Sequence, residues 1–429
     1  MSELLQRINE AVESRREVIV ETLREWVRIP TQTPPGENYT ELVNHIVPRF
    51  AAIGFDARSA EIPPEVFEQR SRVHYPELVG PRPNVLAKRD RSGKPRALWY
   101  CHLDTVPVGD ATKWSVPPFE AVVKDGKVWG RGTADSKGGA SSILSAFETL
   151  HAMGIEPEVS PVVALTTDEE IGPYTGLMYF ADQGEFEGCQ YFHSADGTAA
   201  SVGISNNGAF TWTVRVRGKS VHSSLSPLGN NPIENSFVLL DEILKLKREV
   251  QSRLSKVPAP EEVVAKGGGT HLQALLNANI VRSGIKHNVV PNELFLEGDR
   301  RILPEEDEES AMAELREAVE RARQRNPDLD AELRIRPFYT SYALSLDDPF
   351  AIRVKRVAEA VTGRTYPITG SNGSSDVAHV VRVTGIPCAK IGVNRPGETN
   401  NHGVDENVRI EDVLNCVKII CALATNAVA

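Results

Sequence analysis

A chain of 429 residues exceeds one ordinary hydrophobic core, so two domains are expected. Its apolar and charged fractions, 41% and 25%, are those of a soluble globular protein, and no apolar run is long enough to span a bilayer. A net charge of −10 with no basic run argues against nucleic acid and anionic membrane surfaces as partners.

The N-terminal stretch to Arg28 is amphipathic, with Leu4, Leu5, Ile8, Ala11 and Val12 at helical spacing. It lacks the apolar core of a signal peptide. Five cysteines without a paired framework read as buried thiols of a cytoplasmic protein. Helix continues to Val27 and stops at Pro30 and the Pro34-Pro35-Gly36 cluster; Tyr39 to Ile53 forms a second helix closed by Gly54. The Pro-rich segment from Ile62 to Pro83 is long for a connection and reads either as the rim of a pocket or as a surface excursion.

Leu98 to Tyr100 is a short buried strand that delivers His102 and Asp104. A hairpin turns at Asp125-Gly126, and a Gly-rich turn leads through Asp135 into a helix from Ser136 to Met153. Val159 to Thr166 is an apolar strand running into Asp168-Glu169-Glu170, and Gln190 to Phe192 another that ends near Asp196. Strands alternating with helices imply a mostly parallel α/β sheet flanked by helices.

Near Gly203 the pattern changes. Phe210 to Val216, Leu272 to Val281, Leu294 to Ile302 and Leu333 to Pro337 read as strands of an antiparallel sheet, with helices over Asn235 to Val250 and Glu305 to Arg325. That order suggests a small ferredoxin-like α+β domain over 207–336, inserted into a domain formed by 1–206 and 337–429. The second excursion, from Pro258 to Gly269, lies within it. A helix over Asp348 to Thr362, a strand over Cys388 to Gly392 and a helix over Ile410 to Ala424 complete the first domain.

Taken singly, the polar residues at these strand ends have ordinary explanations. Asp135 suits a helix N-cap, Asp196-Gly197 a turn, Glu169-Glu170 a solvated acidic pair, and His102 or His402 a core or surface histidine. Together they follow the strands of one sheet, where open α/β sheets gather ligands. His102 and Asp135 read as metal ligands, with Asp104 orienting His102. Of Glu169 and Glu170, one would bind metal and its neighbour act as a base. Two histidines and three carboxylates (His102, Asp135, Glu170, Asp196, His402) are too many for one open zinc site and suit two ions about 3.5–4 Å apart.

The chain resembles the metallohydrolase family of acetylornithine deacetylase, succinyl-diaminopimelate desuccinylase, aminoacylase and glutamate carboxypeptidase. The matching pieces run from Cys101-His102-Leu103-Asp104 and Gly130-Arg131-Gly132-Thr133-Ala134-Asp135 through Asp168-Glu169-Glu170, Gly218-Lys219-Ser220-Val221-His222, Asn288-Val289-Val290-Pro291-Asn292, Asp299-Arg300-Arg301 and Ser374-Ser375-Asp376 to His402-Gly403-Val404-Asp405-Glu406. The resemblance implies two divalent ions, zinc with cobalt or manganese as alternatives. His102 and Asp196 would hold one, Glu170 and His402 the other, and Asp135 both, across a cis peptide to Ser136. Glu169 would be the general base, His222 of the inserted domain an oxyanion donor, and Arg301 the ligand of a substrate carboxylate, with Asn288, Ser374 and Ser375 as further substrate contacts. Arg300, adjacent on the strand, should face the other way. His193 and His379 match no ligand position and read as structural.

The expected activity is cleavage of the amide of an N-acyl amino acid. The alternatives are a dipeptidase or glutamate-carboxypeptidase-type enzyme, an atypical C–N hydrolase, or a silent binding protein on the same fold. The small-molecule substrate would bear a carboxylate, and the inserted domain would serve as lid and homodimer surface. Ser136 stands where many relatives carry Met, and Asp196 where many carry Glu, which leaves the substrate open.

Overall fold

The computed structural model describes residues 2–172 and 175–428. The chain divides into two compact units: Met1–Ile204 with Leu344–Thr369 and Ser375–Ala429, and Ser205–Ala343 with Gly370–Ser374. Sequence patterning puts the boundaries at 206/207 and 336/337. The later return to the first unit follows from the last strand of the second, which runs on to Tyr339.

The first unit is built on a sheet with strand order Asp56–Glu61, Pro83–Lys88, Ser160–Thr166, Arg96–His102, Cys189–Ser194, Cys388–Lys390, Val202–Asn206. Its centre is parallel: Arg96–His102 lies between Ser160–Thr166 and Cys189–Ser194, and Cys388–Lys390 extends the parallel set. Both flanks are antiparallel. The central strands are buried on both faces, which is why they read as continuous apolar runs. The edge strand Asp56–Glu61 is mostly exposed, and neither it nor Pro83–Lys88 is legible as an alternating or apolar run.

Helices Lys137–Ala152 and Ile410–Thr425 are buried along nearly their whole length. Small residues permit the approach: a Cβ on Gly139 would sit 2.4 Å from the Ala195 carbonyl. The Ile62–Pro83 excursion contains a helical turn, Pro64–Phe67, and a π-turn, Glu68–Arg72. It ends on Arg82, whose buried guanidinium pairs with Asp168 at 2.8 Å and lies over the Phe67 and Tyr39 rings. The segment thus braces the acidic loop from behind.

The second unit has a four-stranded antiparallel sheet, in the order Leu275–Ser283, Glu293–Ile302, Gly208–Arg217, Asp330–Tyr339. Helices Pro232–Gln251 and Glu308–Arg325 complete a strand–helix–strand–strand–helix–strand sequence, the ferredoxin-like order. Residues on Gly208–Arg217 alternate between buried and half-exposed, as a one-sided sheet requires. The expected single strand from Leu272 to Val281 is interrupted at Ala274. His271–Gln273 instead pairs with Leu254–Pro258, and the 258–269 excursion forms the tip of that hairpin, with helix Glu261–Ala265. All five cysteines are buried free thiols, and among the described residues no helix is long and apolar enough to cross a membrane.

Candidate metal centre

Parallel strands place their C-terminal ends on one edge of the sheet, and four loops of the first unit meet there. His102 ends its strand. Its Nδ1 lies 3.0 Å from the Asp104 main-chain carbonyl and 3.5 Å from that residue's carboxylate, so the carbonyl is the closer partner. The buried Asp104 carboxylate also accepts the main-chain N–H groups of Glu169 (3.3 Å) and Glu170 (3.0 Å). It therefore ties the histidine strand to the acidic loop.

Asp135 stands between two histidines. Oδ1 is 3.1 Å from His102 Nε2, and Oδ2 is 3.1 Å from His402 Nε2. His402 Nε2 is also 3.2 Å from Glu170 Oε2. Asp135 is not the helix N-cap: Ser136 occupies that position, with no side-chain cap bond, and the Asp135–Ser136 peptide is cis. With Nδ1–H of His102 donating to Asp104, the Nε2 lone pair faces a carboxylate oxygen, an arrangement that calls for a proton or a cation between them.

The charge balance points the same way. His402 is pushed up to about 11 by its bonds to Asp135 and Glu170. Burial and the Asp135 carboxylate push Glu170 up to about 7, and Glu170 Oε1 is buried with no hydrogen-bond partner among the described residues. Glu169 is raised well above the usual carboxylate range, first by burial, then, against the pull of His102, by Asp376, Glu170 and Asp196. Burial alone would lower His102, but hydrogen bonds to Asp104 and Asp135 raise it well above its ordinary value. A buried surplus of carboxylates is costly without counter-charge. The atoms of His102, Asp135 and Glu170 lie close enough together to hold a metal ion, and this donor set of imidazole and carboxylate suits zinc, cobalt or manganese. The residues therefore fit the divalent metal expected there.

Asp196 follows its strand as expected, a quarter exposed, and its Oδ2 lies 3.3 Å from the ammonium of Lys390. It is not in the group formed by His102, Asp135 and Glu170. Beside it, Asp376 accepts a 2.6 Å bond from the buried Tyr100 hydroxyl. Ser375 Oγ is 3.3 Å from Lys390 Nζ.

The remaining expected residues lie in the second unit. His222 Nδ1 bonds the Ser224 hydroxyl at 2.8 Å, and Asn288 Nδ2 is 3.4 Å from His222 Nε2. Arg301 bonds Asp299 (3.1 Å) and Ser374 Oγ (3.1 Å) and keeps a third of its side chain exposed. Arg300 faces the other way, buried against Glu306 at 2.6 Å. Of the histidines read as structural, His379 pairs with Asp182 at 2.7 Å, and His193 is buried with neither ring nitrogen bonded among the described residues.

Two supporting residues escape sequence reasoning. The Glu406 carboxylate, 1% exposed, accepts from Arg131 (2.6 Å) and from the main-chain N–H groups of Gly132, Ala134 and Asp135 at 2.9–3.0 Å. It locks the loop carrying Asp135 to the loop carrying His402. Lys390 is the other; its only signal is a charge inside an otherwise apolar strand.

The family model described as "Peptidase family M20/M25/M40" matches residues 98–426, most of the chain. Among solved structures, human carnosine dipeptidase 1 aligns at 16% identity over 99% of each chain, with a TM-score of 0.77. The M20 family metallo-carboxypeptidase Sso-CP2 from Sulfolobus solfataricus aligns at 19% identity over 95% of this chain and 98% of that one (TM-score 0.78). The dipeptidase Dug1p from Saccharomyces cerevisiae aligns at 17% identity over 99% and 98% (TM-score 0.79). At such identities these likenesses establish a shared fold. With the family match spanning the strands and loops that build the centre, the chain belongs to peptidase family M20/M25/M40 and is a metal-dependent hydrolase of amide bonds.

Proposed function

We propose that the protein is a two-metal amidohydrolase acting on a small amide substrate that carries a free carboxylate. The observation that carries this reading is Asp135, which presents one oxygen to each of two histidines. In this reading His102 and Asp196 would hold one ion, Glu170 and His402 the other, and Asp135 would serve both. Divalent ions bound there would supply Lewis acidity, the chemistry that lowers the pKa of water and polarises an amide carbonyl.

The protein's own residues do the rest. Asp104 fixes the tautomer of His102 and anchors the main chain of Glu169 and Glu170. Glu169 takes the proton of the attacking water and delivers it to the leaving nitrogen, a task helped by a carboxyl that burial holds well above the usual carboxylate range. His222 donates to the developing oxyanion. Arg301, a planar fork with a third of its side chain exposed, receives the substrate carboxylate, and Ser374, Ser375 and Asn288 are further substrate contacts. The second unit serves as lid and as the surface of a homodimer.

N-Acyl amino acids and dipeptides share this chemistry. Dipeptides are placed first, because Asp196 stands where many N-acyl amino acid hydrolases of the family carry Glu, and because carnosine dipeptidase and Dug1p share the fold. The test is a panel of dipeptides and of N-acetyl, N-succinyl and N-carbamoyl amino acids, offered to protein reloaded with zinc, cobalt or manganese. Hydrolysis of one class is expected. Metal-loaded protein inert toward all of them would overturn the reading in favour of a silent binding protein. Glu169→Gln should lower turnover at least ~100-fold with metal content unchanged, the scale of general-base catalysis; loss of metal would reassign Glu169 as a ligand.

A further inference from the structure

The strand Cys388–Lys390 and the two residues after it are core: Cys388, Ala389 and Ile391 are fully buried. Lys390 points from this apolar run into the metal centre. Its ammonium lies 3.3 Å from Asp196 Oδ2 and 3.3 Å from the buried Ser375 hydroxyl, with 10% of the side chain exposed. An ammonium withdrawn this far from water needs an anion, and Asp196 supplies it.

This pairing makes the two sides of the centre chemically different. On one side, His402 Nε2 lies 3.1 Å from Asp135 Oδ2 and 3.2 Å from Glu170 Oε2, and Glu170 keeps a second buried oxygen without a hydrogen-bond partner among the described residues. No ammonium or guanidinium is paired with those oxygens among the described residues. On the other side, His102 Nε2 and Asp135 Oδ1 are 3.1 Å apart, and the remaining carboxylate, Asp196, already has one oxygen engaged by a fixed positive charge. A divalent cation arriving there meets a ligand with reduced effective charge and is repelled by the neighbouring ammonium, an effect strengthened by burial.

We propose that Lys390 is a positioning residue that sets unequal cation affinities, so that the Asp135–Glu170–His402 side loads first and the His102–Asp196 side second and more weakly. The inference rests on the two-metal reading above. It makes the occupancy of the second position, and with it the assembly of the complete centre, dependent on available metal.

The experiment is a titration of metal-depleted full-length protein with cobalt(II), followed by calorimetry and by the visible absorption of the bound ion. The wild type should show two steps whose affinities differ by about tenfold or more. Asp196→Asn should abolish the weaker step alone, and His402→Ala the tighter. Lys390→Met, similar in length and uncharged, should tighten the weaker step by about tenfold and leave the tighter one in place; Lys390→Arg should preserve the wild-type separation. Two equal steps in the wild type would overturn the proposal whether or not any variant folds. So would a Lys390→Met protein that retains the wild-type separation or binds its second ion more weakly. A wild type that binds no cobalt, zinc or manganese would instead refute the two-metal reading itself.

Discussion

Replacing Glu406 with Met strips the acceptor from four donors at once. Arg131, 2% exposed, keeps its 2.9 Å bond to the Gly403 carbonyl and its place over the Trp114 ring, but loses the carboxylate it is paired with among the described residues. An orphaned buried charge costs about 3–5 kcal/mol. The three main-chain N–H groups of Gly132, Ala134 and Asp135 would each add about 1–3 kcal/mol if held in place, so the loop will move rather than bear the full sum. At about 2 °C per kcal/mol for a unit of this size, the charge alone lowers the melting midpoint by about 6–10 °C. Thermal unfolding in the presence of a chelator measures this without the contribution of bound metal. Because the freed loop carries Asp135, zinc should also rescue the variant less than it rescues the wild type. Arg131→Met combined with Glu406→Met removes both charges and should cost less than the two single changes together. A Glu406→Met midpoint within 2 °C of wild type, or strict additivity in the double variant, would refute the latch.

Other consequences can be checked in the same way. His193 is held neutral by burial, its imidazole pushed down to about 3. Between that value and about 6.5 the unfolded chain binds a proton that the folded chain does not, so stability should fall as pH drops through this window, by up to about 5 kcal/mol. His193→Leu should flatten that acid limb in urea unfolding at pH 4 and pH 7; an unchanged slope would show that the ring is not the source. Arg82→Met leaves the buried Asp168 carboxylate, among the described residues, with the Tyr39 and Thr175 hydroxyls, each at 3.0 Å, and should destabilise by about 3–5 kcal/mol in denaturant unfolding. Gly139→Ala would press a methyl to 2.4 Å from the Ala195 carbonyl and 2.9 Å from Cys101 Sγ. A loss of about 1–3 kcal/mol is expected, and a neutral result in thermal melts would mean that the helix can shift.

Much of the architecture was legible because the physics behind it is local. Central strands buried on both faces must be apolar throughout, and Leu98–Tyr100 and Val159–Thr166 look it. The Asp125-Gly126 turn needs two residues with positive φ and has them, at 54° and 72°. The alternation along Phe210–Val216 records one wet face and one dry. The mostly exposed strand Asp56–Glu61 carries no such imprint, since nothing on either face demands an apolar residue. The break at Ala274 arises from which partner each half of the segment pairs with, a choice made outside the segment.

The same division runs through the centre. Residue type and position after a strand nominated His102, Asp135, Glu170, Asp196 and His402, because sheet topology delivers strand ends to one edge. Pattern and resemblance could not give the contacts. That Asp135 divides its two oxygens between His102 and His402, that Glu406 spends its charge on the Asp135 loop, and that a lysine inside an apolar strand reaches Asp196 are facts about residues up to 275 positions apart. Periodicity and spacing report the surroundings of neighbours along the chain. Pairing of charges in a buried site depends on distance in space, which only the folded chain sets.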